Sequence, residues 1–129
     1  KVALYEDYIS ANKDFDELFE KYDVVYLPPW EVDNINTNFD LAVNVRSLSE
    51  MSLVDAETYL KVIDEKCEMF FSVNTNCNKK LNDFEEINSL DFIKNLSMKV
   101  VDEGTLFCDS IGFTNLHHVW AFYKKTKSE

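Results

Sequence analysis

Glycine is scarce in this chain, whose 129 residues contain only Gly104 and Gly112, both near the C-terminal end. A G-x-G-x-x-G turn needs glycines because they let the backbone approach a bound phosphate closely. These 129 residues therefore contain no such turn. The two prolines, Pro28 and Pro29, are adjacent and predict one rigid turn at the end of a strand.

Cysteines and long apolar runs are also few. The three cysteines, Cys67, Cys77 and Cys108, are odd in number and include no C-x-x-C pair, which argues against a disulfide framework or a zinc knuckle. No apolar run approaches the roughly 20 residues that span a bilayer. The segment Lys1–Ser10 lacks the apolar stretch and cleavage site of a signal peptide. We therefore expect a soluble, cytoplasmic protein with reduced thiols.

Basic residues are outnumbered by acidic ones, 13 against 24, which gives a formal net charge of -11. Nucleic-acid affinity depends largely on neutralising phosphates with cationic side chains, and anionic membranes attract proteins in the same way. We therefore expect neither nucleic acid nor membrane as a partner. The hydrophobic content of 46% is enough for one ordinary core, which predicts a single domain, or part of one, over residues 1–129.

Hydrophobic periodicity predicts an alternation of helices and strands. A helix is expected behind a capping Asp14, and another behind Ser52 that ends near Lys66. Further segments compatible with a helix are Val2–Ile9 and Phe84–Leu96. The predicted strands are Asp23–Leu27, Phe39–Val45, Met69–Val73, Met98–Val101 with an extension toward Leu106, and Leu116–Tyr123, whereas Asn74–Asn82 is expected to be a loop.

This order of elements predicts the fold class. Strands that alternate with helices are typical of an α/β protein with a mostly parallel sheet. The last two strands have no convincing helix between them, so we expect an antiparallel terminal strand.

Candidate functional residues follow the strands, because open α/β sheets bind ligands at the carboxyl ends of their strands. The segment after Phe39–Val45 is the richest, with Arg46, Ser47 and Glu50 beside Asn44. In a functional interpretation, Asn44 and Ser47 hydrogen-bond a ligand while Glu50 acts as a base or orients a hydroxyl. In a structural interpretation, the same side chains satisfy the strand end and the following helix start. The spacing leaves both open.

The segment Phe39–Met51, F-D-L-A-V-N-V-R-S-L-S-E-M, resembles the F-D-L-x-x-N-x-x-S-x-x-E-M signature of the sugar O-methyltransferases. The similarity continues in Tyr26–Glu31, Y-L-P-P-W-E, and in Phe70–Asn74, F-F-S-V-N. The resemblance implies a class I Rossmann-like methyltransferase fold. It also implies transfer of a methyl group from S-adenosylmethionine to a hydroxyl of a sugar or glycan-type acceptor.

The resemblance also implies roles for individual residues. Glu50, Ser47 and Arg46 would be the catalytic, acceptor-side group, and the residues implied to bind the cofactor are Pro28, Trp30 and Asn44. Pro28 and Trp30 would border the adenine, and Asn44 would lie near the methionine moiety. For Trp30, stacking on a base and plugging the end of the sheet are equally good interpretations.

Two parts of such an enzyme are missing from these residues. One is the glycine-rich loop, and the other is the acidic residue that would hold the ribose after the second strand. The resemblance makes Lys1–Ser10 the helix after that strand, so we expect the C-terminal portion of an incomplete domain, inactive alone. The alternative is a non-catalytic α/β interaction or regulatory module, whose exposed sheet edge a homo-oligomer or another partner would cover.

His117 and His118 open the last predicted strand and should point to opposite faces of the sheet. A histidine suits the role of a base at neutral pH. Two adjacent strand positions are a poor metal pair, however, so we expect structural roles for both. The acidic pairs have no metal-ligand spacing with a histidine or cysteine, and no metal site is expected.

Overall fold

The computed structural model describes residues 1–76, 93, 95–106 and 117–126. The chain divides into two compact units, Lys1–Asn38 and Phe39–Glu129, called unit 1 and unit 2 below. Each unit has its own cluster of buried hydrophobic side chains.

Unit 1 is built around a short pair of parallel strands. Its elements are β1 (Val2–Ala3), α1 (Tyr5–Ser10), α2 (Phe15–Lys21), β2 (Val24–Val25) and a 3-10 turn (Pro29–Asn34). Strands β1 and β2 pair in parallel, and the buried cluster comprises Ala3, Tyr8, Ala11, Phe15 and Leu18. Asp14 caps α2 because its Oδ1 accepts hydrogen bonds from the backbone N–H groups of Asp16 and Glu17, at 2.9 and 3.2 Å.

Unit 2 contains a four-stranded sheet. Its elements are β3 (Phe39–Val45), a 3-10 turn (Leu48–Glu50), α3 (Leu53–Lys66), β4 (Cys67–Asn76), β5 (Lys99–Leu106) and β6 (His117–Lys124). The strand order is β3-β4-β6-β5, with β3 parallel to β4 and β6 antiparallel to both of its neighbours.

Helix α3 connects the two parallel strands and covers one face of the sheet. It begins at the Ser52 cap, whose Oγ accepts from the Asp55 backbone N–H at 3.2 Å. Ala56 and Leu60 are buried in a cluster that includes Phe70. Phe70 is fully buried and stacks on Tyr123, with the ring centroids 5.8 Å apart. These side chains form the buried core of unit 2, against the two central strands β4 and β6.

Several predictions from the sequence are confirmed. The strand Phe39–Val45 and the helix from Ser52 to Lys66 have the predicted bounds, and the last two strands pair in antiparallel fashion. The α/β class is confirmed as well. The expectation of a mostly parallel sheet is not confirmed, because two of the three strand pairings in the described part of unit 2 are antiparallel.

Two local predictions were wrong. Val2–Ala3 begins the chain as a strand rather than a helix, because both residues join the ladder with Val24–Val25. Asn74–Asn76 continues β4 instead of opening a loop, because its backbone pairs with β6. Of the helix predicted over Phe84–Leu96, Ile93 is helical and buried, Asn95 and Leu96 are not helical, and the rest lies outside the described residues.

None of the described helices is both long and apolar enough to cross a membrane. Cys67, the only cysteine within the described ranges, is free and buried. Cys77 and Cys108 lie outside those ranges.

Candidate functional site

The carboxyl ends of β3 and β4 lie side by side, because the two strands are parallel and Asn44 is in register with Ser72. Asn44 is half-buried, whereas Ser72 and Asn74 are buried. Ser47, three residues beyond Asn44, is half-buried as well. Strand pairing therefore places four amide and hydroxyl side chains at one edge of the sheet in unit 2.

These side chains form one hydrogen-bonded network. The Asn74 Nδ2 group donates to Asn44 Oδ1 at 3.0 Å and to Ser72 Oγ at 2.8 Å. Asn44 Nδ2 in turn donates to Ser47 Oγ at 2.5 Å. The sequence indicated Asn44 and Ser47 as a pair, and the structure brings them together. It adds Asn74 and Ser72, which the sequence analysis did not select individually.

The backbone N–H of Leu48 determines which end of each side-chain amide in this network donates and which end accepts. This group can only donate, and its acceptor is Asn44 Oδ1 at 3.4 Å. Asn44 must therefore point its Nδ2 group toward Ser47, and Asn74 must point its Nδ2 group toward Asn44. Since Ser47 Oγ already accepts a hydrogen bond, its own hydroxyl hydrogen is left to donate elsewhere.

The other end of the network is an unpaired acceptor. Asn74 is 2% exposed, and its Oδ1 atom is buried without a hydrogen-bond partner among the described residues. An unsatisfied buried polar group costs about 1–3 kcal/mol, so such groups are rare unless a site uses them. Asn74 Oδ1 would therefore accept a hydrogen bond from a donor group of a ligand.

Arg46 lies between the network residues in a left-handed backbone conformation, with φ of 58°. Its backbone N–H donates to the Val73 carbonyl oxygen at 2.7 Å, which fixes the end of β3 against β4. The side chain is exposed, and within the described ranges its guanidinium forms no ion pair or hydrogen bond. The strand end thus presents a fixed backbone and an uncommitted cation.

Glu50 ends the 3-10 turn that follows, with its backbone N–H donating to the Ser47 carbonyl oxygen at 3.1 Å. The Glu50 side chain is exposed, and its carboxylate makes no hydrogen bond or ion pair in the part of unit 2 that the structure describes. The predicted residues Asn44, Arg46, Ser47 and Glu50 therefore share one short segment. Only Asn44 and Ser47 are joined by their side chains.

The other two predicted residues belong to unit 1. Pro28 is half-buried and precedes the 3-10 turn after β2, and Trp30 is 71% exposed in that turn. The Trp30 and Tyr5 rings form a T-shaped pair, with centroids 6.4 Å apart and an interplanar angle of 85°. Trp30 does not plug a core in the described chain. An aromatic ring this exposed is suited to stacking on a planar ligand.

Glu31, beside Trp30, is a buried charged residue that belongs to the segment Tyr26–Glu31 but to which the sequence analysis assigned no role. It is 4% exposed. Lys13 Nζ donates to both carboxylate oxygens, at 3.1 and 2.8 Å. The Glu31 carboxylate also accepts hydrogen bonds from the Tyr5 hydroxyl at 2.9 Å, the Tyr8 hydroxyl at 3.5 Å and the Asn34 side-chain amide at 2.8 Å.

The hydrogen bond from Lys13 is the main cause that lowers the pKa of the Glu31 carboxyl, against the opposing effect of burial. Lys13 itself has a left-handed backbone, with φ of 63°. Because its oxygens are committed to internal donors, Glu31 holds unit 1 together and is a poor candidate for a ligand contact.

No group of three or more histidine, cysteine, aspartate or glutamate side chains in the described ranges could hold a metal ion. His117 and His118 occupy the first two positions of β6. Glu6 is exposed in the first turn after β1, whereas Asp7 accepts from the Leu4 backbone N–H and from the Tyr22 hydroxyl. Among the residues that the structure describes, the Glu6 carboxylate has no hydrogen-bond or ion-pair partner, so an acidic side chain available for a contact does follow β1.

Comparison with known proteins finds no family model and no curated protein that matches this sequence. Solved structures do match. An S-adenosylmethionine-dependent methyltransferase from Clostridium acetobutylicum ATCC 824 has a TM-score of 0.55 and 12% identity, over 96% of this chain and 74% of that one. The PH0226 protein from Pyrococcus horikoshii OT3 has a TM-score of 0.59 and 12% identity, over 97% and 71%.

TehB from Haemophilus influenzae is similar as well, with a TM-score of 0.53 and 14% identity over 97% of this chain and 49% of that one. At identities this low, the structural similarity shows the fold alone and does not show an activity. The chain has a methyltransferase-like α/β fold, similar to that of the S-adenosylmethionine-dependent methyltransferase from Clostridium acetobutylicum.

Proposed function

We propose that this chain is part of a methyltransferase that moves a methyl group from S-adenosylmethionine to a sugar hydroxyl. The observation that carries the proposal is the fold, which matches a S-adenosylmethionine-dependent methyltransferase over 96% of the chain. The choice of a sugar acceptor rests on the resemblance of Phe39–Met51 to the sugar O-methyltransferase signature. In support, Asn44 and Ser47 of that segment are hydrogen-bonded at the end of β3.

The reaction asks the protein mainly for positioning, because methyl transfer is an in-line displacement. Asn44 and Ser47 would orient the reacting groups at the strand end, with Asn44 on the cofactor side. Glu50 would accept a hydrogen bond from the acceptor hydroxyl and take its proton as the oxygen attacks, a role that its uncommitted carboxylate allows. Arg46 would bind the acceptor beside it.

For unit 1 taken by itself, we propose contacts to the adenosine part of the cofactor. Trp30 is exposed in the 3-10 turn that follows β2, where it would stack on the adenine, and Pro28 would border the same base. We assign the ribose contact to Glu6, because it is exposed in the first turn of α1, the helix that follows β1, and Asp7 is committed to internal donors. The cofactor supplies the methyl group when bound.

A second candidate function is a non-catalytic interaction or regulatory module. It is favoured by the apolar side chains that β3 exposes, since Leu41, Val43 and Val45 are 45%, 60% and 55% exposed. A large exposed apolar patch often marks a protein contact. Under this alternative a second copy of the chain or another partner would cover these side chains. In either case we propose a cytoplasmic location, in keeping with the free thiol of Cys67.

Calorimetric titration of S-adenosylmethionine tests the first proposal, on this chain and on a longer chain that includes the sequence upstream of Lys1. We expect binding to the longer chain and its loss in Trp30→Ala. Tyr26→Ala is the matched control, because Tyr26 is also an exposed aromatic residue of unit 1, at 64%. Absence of binding to both chains, together with a dimer in solution, would replace the methyltransferase proposal with the interaction module.

A further inference from the structure

Arg46 is the only arginine of a chain with a net charge of -11. Its backbone conformation is unusual for arginine, because residues with a Cβ atom seldom adopt left-handed φ values. The hydrogen bond from its backbone N–H to Val73 holds that conformation at the end of β3. The guanidinium is exposed and has no ion-pair partner among the residues described in either unit.

Ser47, the next residue in the chain, carries a second donor. Its Oγ accepts from Asn44 Nδ2, whose orientation is set by Leu48 and Asn74, so within the described ranges the Ser47 hydroxyl hydrogen has no acceptor and can donate to a ligand. Arg46 and Ser47 thus offer a guanidinium and a hydroxyl hydrogen from consecutive residues. A pair of donors, one of them charged, is complementary to an oxyanion, which arginine binds with paired hydrogen bonds.

We propose that Arg46 and Ser47 bind an anionic group of the acceptor, so that the substrate is a sugar carrying a carboxylate or a phosphate rather than a neutral sugar. This inference rests on the proposed methyl transfer to a sugar. A local cation is needed for such a substrate, because the net charge of -11 repels anions at long range. Asn74 is a positioning residue here, since it acts through Asn44 and Ser47.

The experiment is a calorimetric titration of three probes into the 129-residue chain. The probes are D-glucuronate, D-glucose 6-phosphate and D-glucose. We expect at least one anionic probe to bind tenfold or more tightly than glucose. Tighter binding of glucuronate assigns a carboxylate to the site, and tighter binding of the phosphate assigns a phosphate. Equal binding of all three probes would overturn the proposal.

Substitutions at Arg46 distinguish the loss of its charge from the loss of the folded turn. Arg46→Asn removes the charge but tolerates the left-handed backbone, so the turn should be retained. It should lose most of the preference for the anionic probe, and Arg46→Lys should recover part of it. Lys61→Met removes the same charge from an exposed position on α3 and is the control. If Lys61→Met reduces the preference as much as Arg46→Asn does, bulk charge explains the binding and the proposal is wrong.

S-adenosylmethionine is titrated into the same samples to separate this inference from the proposed function. If the cofactor binds but the anionic probes show no preference that depends on Arg46, only the inference fails. If Arg46→Asn weakens cofactor binding and leaves the probes unchanged, the guanidinium serves the cofactor carboxylate, and the inference again fails. If the cofactor does not bind even to the longer chain, the proposed methyl transfer fails.

Discussion

The side-chain amide of Asn74 donates to Asn44 Oδ1 at 3.0 Å, and this hydrogen bond joins the ends of the parallel strands β3 and β4. The Leu48 backbone N–H shares the same acceptor. Asn44 is therefore the residue through which strand β4, strand β3 and the turn after β3 are tied together. The ligand-binding role proposed for this network depends on that connection.

Asn44→Ala should reduce the free energy of unfolding by about 1–3 kcal/mol, because the substitution removes an acceptor that two donors use. The measurement is urea unfolding followed by circular dichroism. Asp40→Ala is the matched control, since Asp40 is exposed on the same strand and should change stability by less than about 0.5 kcal/mol. Equal effects of the two substitutions would show that the network contributes no stability.

Glu31→Gln should make unit 1 less sensitive to acid. The hydrogen bond from Lys13 lowers the folded-state pKa of the Glu31 carboxyl, so its stabilisation is fully present above the unfolded-state pKa of about 4.3 and is lost as the pH falls through the folded-state value. The variant lacks this group. Its urea midpoint should therefore fall less than that of the unmodified protein as the pH is lowered from about 5.

The control for this prediction is Glu20→Gln, which removes an exposed carboxyl from α2 that accepts no hydrogen bond in the described part of the chain. It should keep the acid sensitivity of the unmodified protein. If the urea midpoint of Glu31→Gln falls with pH as steeply as that of the unmodified protein, the ion pair with Lys13 does not contribute to stability in solution.

The sequence predicted the long elements well because their patterns are long. Phe39–Val45 is an almost unbroken apolar run, and the helix behind Ser52 combines a cap with a regular inner stripe. Strand β1 has only two residues, too few for any periodicity, and its identity comes from pairing with Val24–Val25. The error had a consequence, since it concealed that Glu6 follows a strand.

The candidate site was predictable only in part, for a similar reason. Asn44 and Ser47 are three residues apart, so the local sequence was enough to group them. Asn74 lies in a polar segment whose composition is typical of a loop, and only its backbone pairing with β6 places it in a strand beside Asn44. The donors to Glu31 are spread over residues 5–34 and converge only through folding.

Gly104→Ala should disturb the contact between β5 and β6. Gly104 is opposite Trp120, and a Cβ atom at this position would lie 2.7 Å from the indole Nε1. The indole would have to move, which we expect to cost about 1–3 kcal/mol of unfolding free energy. The measurement is urea unfolding, together with the NMR signal of the Trp120 indole N–H. In a Trp120→Leu background the same substitution should cost clearly less, and an unchanged cost would exclude the indole as the cause.

Tyr123→Phe should remove part of the alkaline instability of unit 2. Burial, with a smaller effect of Glu103, raises the pKa of Tyr123 to about 12, above the roughly 10 of an unburied tyrosine. The stabilisation from the protonated phenol is therefore intact below about pH 10 and is lost as the pH rises toward 12. Tyr123→Phe should keep its urea midpoint over this range better than the unmodified protein does.

Tyrosinate absorbance gives a second measurement of the same group. Tyr123→Phe should lack the last ionisation step before alkaline unfolding, whereas Tyr26→Phe, at a ring that is 64% exposed, should retain it. Tyr8, whose pKa is also raised by burial, is present in both variants and does not affect the comparison. If the last step persists in Tyr123→Phe and the alkaline loss of stability is unchanged, the stacking of Tyr123 on Phe70 does not keep the phenol out of water.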